Sequence, residues 1–102
     1  MPLAISDSVG FGHNATTTTS EAVAANPNRE YLLILNKSDT TVHYAIGEDA
    51  TADSSPFLNA DGGWYEMSRL LGNLSQGAIN VIHEGTGNKR VVGLESSHPA
   101  ST

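Results

Sequence analysis

The sequence contains no cysteine. That one absence excludes a disulfide framework, a thiolate zinc site and a cysteine nucleophile. Charge is scarce as well: 16% of the 102 residues are charged, and 5 Lys and Arg stand against 11 Asp and Glu, a formal net charge of −6. Nucleic-acid grooves hold phosphates with clustered positive charge, and so few cations do not build one. No apolar run approaches the ~18 residues of a membrane span, and the start Met1-Pro2-Leu3-Ala4 lacks a basic signal-peptide region, so no membrane association is expected. What remains is a chain of single-domain length, acidic and rich in Gly, Ser, Thr and Asn, a profile that favours a loop-rich β protein.

Short β-type segments punctuated by turn residues run along the chain. Residues 1–14 have no helical period and read as an extended N-terminal arm, in which Leu3, Ile5, Val9 and Phe11 fall on alternate positions broken only by Asp7; a short edge strand, or a segment that orders only on a partner, are the other readings. The threonines at 16–19 favour a strand over 16–23, because branching at Cβ restricts χ1 in a helical turn. Pro27 then forces a turn. Residues 30–37 (EYLLILNK) form the strongest strand, a nearly unbroken apolar run expected to be buried on both faces or nearly so. A short polar connection to 41–46 suggests a hairpin, and a second hairpin is expected where Gly85-Thr86-Gly87-Asn88 joins 78–84 to 89–95. With a short edge strand at 56–59 and a strand at 64–67, six to seven short strands result. The expected fold is all-β, a single antiparallel sandwich or jelly-roll-like barrel over 15–95, with a flexible tail over 96–102.

Catalytic and metal-binding patterns are weak. His13, His43, His83 and His98 lie far apart in sequence; His43 and His83 both fall in expected strands, but two histidines without a carboxylate make a poor site, and Glu84 points away from its neighbour His83. The acidic stretch 47–55 lacks the alternating ligands, glycine and distal Glu of a calcium loop and reads as a solvated loop. There is no Gly-x-Ser-x-Gly elbow, and neither Gly10-Phe11-Gly12 nor Gly85-Thr86-Gly87 has the setting of a phosphate loop. No catalysis, metal or cofactor is expected. Trp64 and Tyr65 are the aromatic pair suited to a partner or a sugar; as strand neighbours they face opposite ways, one to the core and one to the surface.

Several stretches together resemble small structural proteins of tailed bacteriophages: AANPNREYLLILN at 24–36, SDTTVHYAIG at 38–47, GGWYEM at 62–67 and GAINVIHEGTGNKRVVGLE at 77–95. The resemblance covers roughly residues 16–95, although 68–76 is longer and more apolar than the pattern. It implies a noncatalytic virion protein, foremost a head decoration (cement) protein made in the host cytoplasm and bound to the major capsid protein on the capsid surface. It transfers no catalytic residue.

The residues suit that role. Leu3, Ile5, Val9, Phe11, Trp64 and Tyr65 are the candidate partner-binding side chains, and lack of cysteine fits assembly in a reducing compartment. A core this small gains from association, which favours a homo-oligomer, a trimer first. The alternative is a tail or fibre module that recognises a surface glycan or another virion protein.

Overall fold

The computed structural model describes residues 8–97, and these fold without any helix. Eight strands follow one another: β1 (Val9–Ala15), β2 (Ser20–Val23), β3 (Arg29–Asn36), β4 (Val42–Ile46), β5 (Phe57–Leu58), β6 (Trp64–Ser68), β7 (Ile79–Ile82) and β8 (Lys89–Ser97). They form two four-stranded antiparallel sheets: sheet A in the order β1-β8-β3-β6 and sheet B in the order β2-β7-β4-β5. Packed face to face they make a β-sandwich with the strand order of a jelly roll. The fold class expected from the sequence is therefore observed, with one more strand than the upper count.

The core follows from side-chain alternation. Every second residue of a strand points inward, so sheet A contributes Ala15, Leu32, Ile34, Met67 and Val91. Sheet B contributes Val23, Val42, Leu58, Ile79 and Val81. Leu32, Ile34, Met67, Val42, Val81 and Val91 are fully excluded from solvent. Phe11 leans in from the edge strand and lies against Gly93, its cross-strand partner. Any side chain at Gly93 would drive a Cβ into the Phe11 ring and the Leu33 carbonyl oxygen.

Both expected hairpins are absent, for one reason. β3 sits between β8 and β6 and has no edge left for β4, while β7 sits between β2 and β4 and has none for β8. The polar turns therefore carry the chain from one sheet to the other. Asn36 builds the first of them: its amide donates to the carbonyls of Thr40 at 2.7 Å and Leu58 at 3.1 Å, and its Oδ1 accepts from Ser38 N and Oγ. His83 builds the second: Nδ1 accepts from Gly85 N at 2.9 Å, which places the proton on Nε2, and that nitrogen donates to Gly87 O at 2.8 Å. The turn residues were legible; the partner of each strand was not.

Other boundaries moved too. The arm expected over 1–14 becomes a paired strand from Val9, antiparallel to β8 along its whole length. Leu3 and Ile5 lie outside the described residues. The strand expected over 16–23 begins only at Ser20, because 16–19 is the corner between sheets. There Thr16 Oγ1 accepts from Thr18 N, and Thr19 Oγ1 accepts from Ala50 N at 2.9 Å. Ser96 and Ser97, expected to begin the flexible tail, belong instead to β8, which runs through Ser97; residues 98–102 of that expected tail lie outside the described residues.

Candidate docking face

The apolar run in β3 buries only one of its faces fully. Leu32, Ile34 and Asn36 point inward, while Tyr31, Leu33 and Leu35 point outward and stay half-buried. No strand of the described chain lies over the outside of sheet A, so β3 keeps an apolar stripe at the surface that is half-buried, close to the near-complete burial on both faces expected of it. Its neighbours extend that stripe. Trp64 on β6 pairs with Leu35 and is 59% exposed; Leu94 on β8 pairs with Leu33 and is 41% exposed. Val92, also on β8, points the same way beside Leu35.

The middle of this face is a shallow concavity of about 300 Å³ lined by Tyr31, Leu33, Leu35, Trp64 and Glu66. Its one carboxylate is engaged: the Tyr31 hydroxyl donates to Glu66 Oε2 at 2.7 Å. That hydrogen bond to a carboxylate, with partial burial and the charge itself, raises the Tyr31 pKa and keeps the phenol protonated. A second concavity of about 430 Å³ adjoins it around Tyr31, Ser68, Leu70 and Leu71.

The turn after β6 supplies two further leucines, and it is held firmly. Arg69 makes a two-pronged pair with Glu30, Nε to Oε1 at 2.8 Å and Nη2 to Oε2 at 2.7 Å. The buried Glu30 raises the Arg69 pKa by that hydrogen bonding and by its charge. Asn73 bonds Ser68 N and Glu66 O, Ser68 Oγ accepts from Leu71 N, and Gly72 turns the chain at φ 78°. Leu70 is left 96% exposed and Leu71 61% exposed. Four of the six large hydrophobic residues exposed in the described chain (Trp64, Leu70, Leu71 and Leu94) thus border one side of the molecule. Contiguous apolar surface of this kind marks interaction sites rather than ordinary solvent-facing surface.

The candidate partner residues are not gathered in one place. Trp64 is on the open face. Its neighbour Tyr65 turns inward and stacks on Tyr44 across the sandwich, ring centroids 5.3 Å apart. Val9 and Phe11 sit on β1, at the opposite edge of sheet A from Trp64; Val9 is 67% exposed, whereas Phe11 packs against the core. The residues missed by sequence reasoning are Leu33, Leu35, Val92 and Leu94, read only as strand interior, and Leu70 and Leu71. The apolar character of 68–76 was the available signal.

Chemistry has little foothold. His43 lies on the outside of sheet B with its Nδ1 on Ser55 O, while His83 is locked in its turn. His13 bonds Ser20 and so links β1 to β2. Among the described residues no three His, Asp or Glu side chains gather as metal ligands, and every buried side-chain polar atom has a partner.

No family model matches the chain, and none of the curated proteins matches its sequence. Its fold is similar to a solved structure of Bacillus endospore appendages, which form a family of disulfide-linked pili: 14% identity over 98% of this chain and 93% of that one, TM-score 0.58. A likeness to Tobacco streak virus coat protein, 16% identical over 93% and 89% of the two chains, has a TM-score of only 0.37. The first shares the overall fold of this chain; the second is too distant to equate the folds.

Proposed function

We propose that this chain is a noncatalytic structural protein of an ordered assembly, a head decoration protein that binds the capsid exterior of a tailed bacteriophage. The observation that carries it is the open apolar face of sheet A, centred on Leu33, Leu35, Trp64 and Leu94. A sheet that leaves such a face uncovered is built to have it covered by another protein. Buried polar groups such as Arg29, Asn36 and His83 are engaged in holding turns and strands, which suits a scaffold. The phage assignment is supported by the resemblance across 16–95.

Sedimentation tests it. The purified chain is mixed with heads of the encoding phage prepared without it; it is expected to sediment with them and to raise their resistance to heat. Trp64→Ala and Leu94→Ser are expected to weaken binding about tenfold or more each while the free protein stays folded. Heads that neither bind the wild type nor gain heat resistance overturn the proposal.

The likeness to a pilus protein favours one second reading, a subunit of a filament. Without cysteine such a filament would have no disulfide links. Fibres formed by the purified chain alone, seen by electron microscopy, would select it.

A further inference from the structure

The sandwich closes unevenly along the flank where β6 ends sheet A and β5 ends sheet B. β5 has two residues and pairs only with Val42 and His43, so it stops short of Tyr44. There the incoming loop 47–56 takes its place, with Tyr44 N donating to Pro56 O at 2.9 Å. The described residues leave a cleft of about 290 Å³ on this flank, lined among others by Tyr44, Ile46, Glu48, Ser55, Pro56 and Tyr65. Small-molecule sites run from ~300 to ~1,000 Å³, so this one has room for a single compact group.

Its chemistry is aromatic and acidic. Tyr44 and Tyr65, one from each sheet, stack there with ring centroids 5.3 Å apart and planes inclined by 30°. Burial, with Tyr65 as a lesser cause, raises the Tyr44 pKa and keeps the phenol neutral. The Tyr44 hydroxyl has no hydrogen-bond partner among the described residues. Neither has the Glu48 carboxylate, although the Glu48 backbone is held by its carbonyl, which accepts from the Asn80 amide at 2.6 Å. No Lys or Arg lines the cleft, and the loop 47–56 adds Asp49 and Asp53 but no cation.

We propose that this cleft receives the guanidinium of an arginine side chain from a basic partner protein, laid against the tyrosine rings with its N–H donors on the Glu48 carboxylate. A guanidinium is planar and weakly hydrated, stacks on aromatic faces and donates in pairs to a carboxylate. An anion would meet Glu48 with no cation to offset it. A second copy is a poor source of the group. Of the five Lys and Arg, Arg29, Arg69 and Lys89 are ion-paired and Arg90 bonds Asn14, which leaves a lysine, Lys37, and no arginine. A net charge of −6 also repels a copy and draws a basic partner. The cleft lies between the sheets, away from the outer face of sheet A, so this inference stands or falls separately from head binding.

The test is amide NMR of the full chain titrated with N-acetyl-arginine amide to about 20 mM at constant ionic strength, a range that covers the affinity of one compact group. Saturable shifts are expected at 44–48, 54–56 and 65, with a Kd of about 1–5 mM. The citrulline analogue, of nearly the same shape but uncharged, is expected to bind about tenfold more weakly or not at all. Glu48→Gln, at an exposed position, is expected to keep the fold and to cost about tenfold in affinity. Glu21→Gln removes an equal charge from β2, at the far edge of sheet B, and is expected to change nothing. The proposal is overturned if no saturable shift appears, if citrulline binds as well, or if Glu21→Gln weakens binding as much as Glu48→Gln. Saturation of the same residues by methyl glucoside and not by the arginine derivative would give the cleft to a sugar and overturn it too.

Discussion

Arg29 and Glu95 meet at 2.7 Å across sheet A, with the guanidinium wholly buried and the carboxylate 23% exposed. The pair is the centre of a larger knot. Arg29 also donates to the carbonyls of Ser75 at 2.8 Å, Gly77 at 2.9 Å and Ala24 at 2.9 Å. One side chain therefore ties the end of β2, the approach to β7 and the strand β8 to the start of β3. Only a planar, five-donor fork reaches so many acceptors at once. Arg29→Ala would leave a carboxylate and three carbonyls without their partner, and a loss of about 3–5 kcal/mol in urea unfolding is expected. Arg29→Lys is expected to recover less than half of it. Full recovery by lysine would show that charge alone, not the fork, holds the knot.

Gly93 is the second fixed point. Its missing side chain lets Phe11 lie across β8 and close the β1 end of the core. Gly93→Ala is expected to destabilise the chain by about 3 kcal/mol or more, as overpacking against backbone does. Adding Phe11→Ala removes the ring but not the Leu33 carbonyl oxygen, so the double variant is expected to remain destabilised. A double variant restored to wild-type stability in thermal unfolding would place the whole conflict on the ring.

The open face should be nearly silent in stability. Trp64→Ala is expected to change unfolding free energy by no more than about 0.5 kcal/mol, because the ring is mostly in water. Ile34→Ala, one position from the face but turned inward, is expected to cost about 2–5 kcal/mol through the cavity it leaves. Parallel urea titrations compare them. Equal losses would show Trp64 to be a packing residue and remove the leading contact from the docking face.

These contrasts show what the residues disclosed in advance. Alternation and turn chemistry gave the all-β class, the strong strand around Leu32 and Ile34, and the opposite orientations of Trp64 and Tyr65, because each depends on neighbours a few residues away. Strand partners depend on residues far apart: β4 does not pair with β3 because β8 and β6 occupy both of its edges. The face was hidden for a related reason. An unbroken run such as Leu32-Leu33-Ile34-Leu35 looks alike whether both sides are buried or one is left open for a partner. Arg29 sat in the recognised stretch, yet nothing beside it in sequence signals burial; its acceptors lie up to 66 residues away.

Acid should loosen the corner between the sheets before it reaches the carboxylates. Partial burial, with Arg90 nearby as a lesser cause, holds the His13 pKa below its ordinary 6.5. In the folded state the imidazole thus resists protonation, while in the unfolded chain it protonates near about 6.5. The unfolded state binds the extra proton first, so stability is complete above that value and declines as pH falls through the window beneath it. Asp39, held low chiefly by its hydrogen bond to Lys89, acts in a separate window below 3.8. Urea midpoints measured from about pH 7.5 down to about pH 5 are expected to fall for the wild type. In His13→Gln, which has no proton to gain but can still bond Ser20, that decline is expected to shrink. An identical slope in the variant would remove His13 as its source, and a midpoint that rises on acidification would reverse the sign altogether.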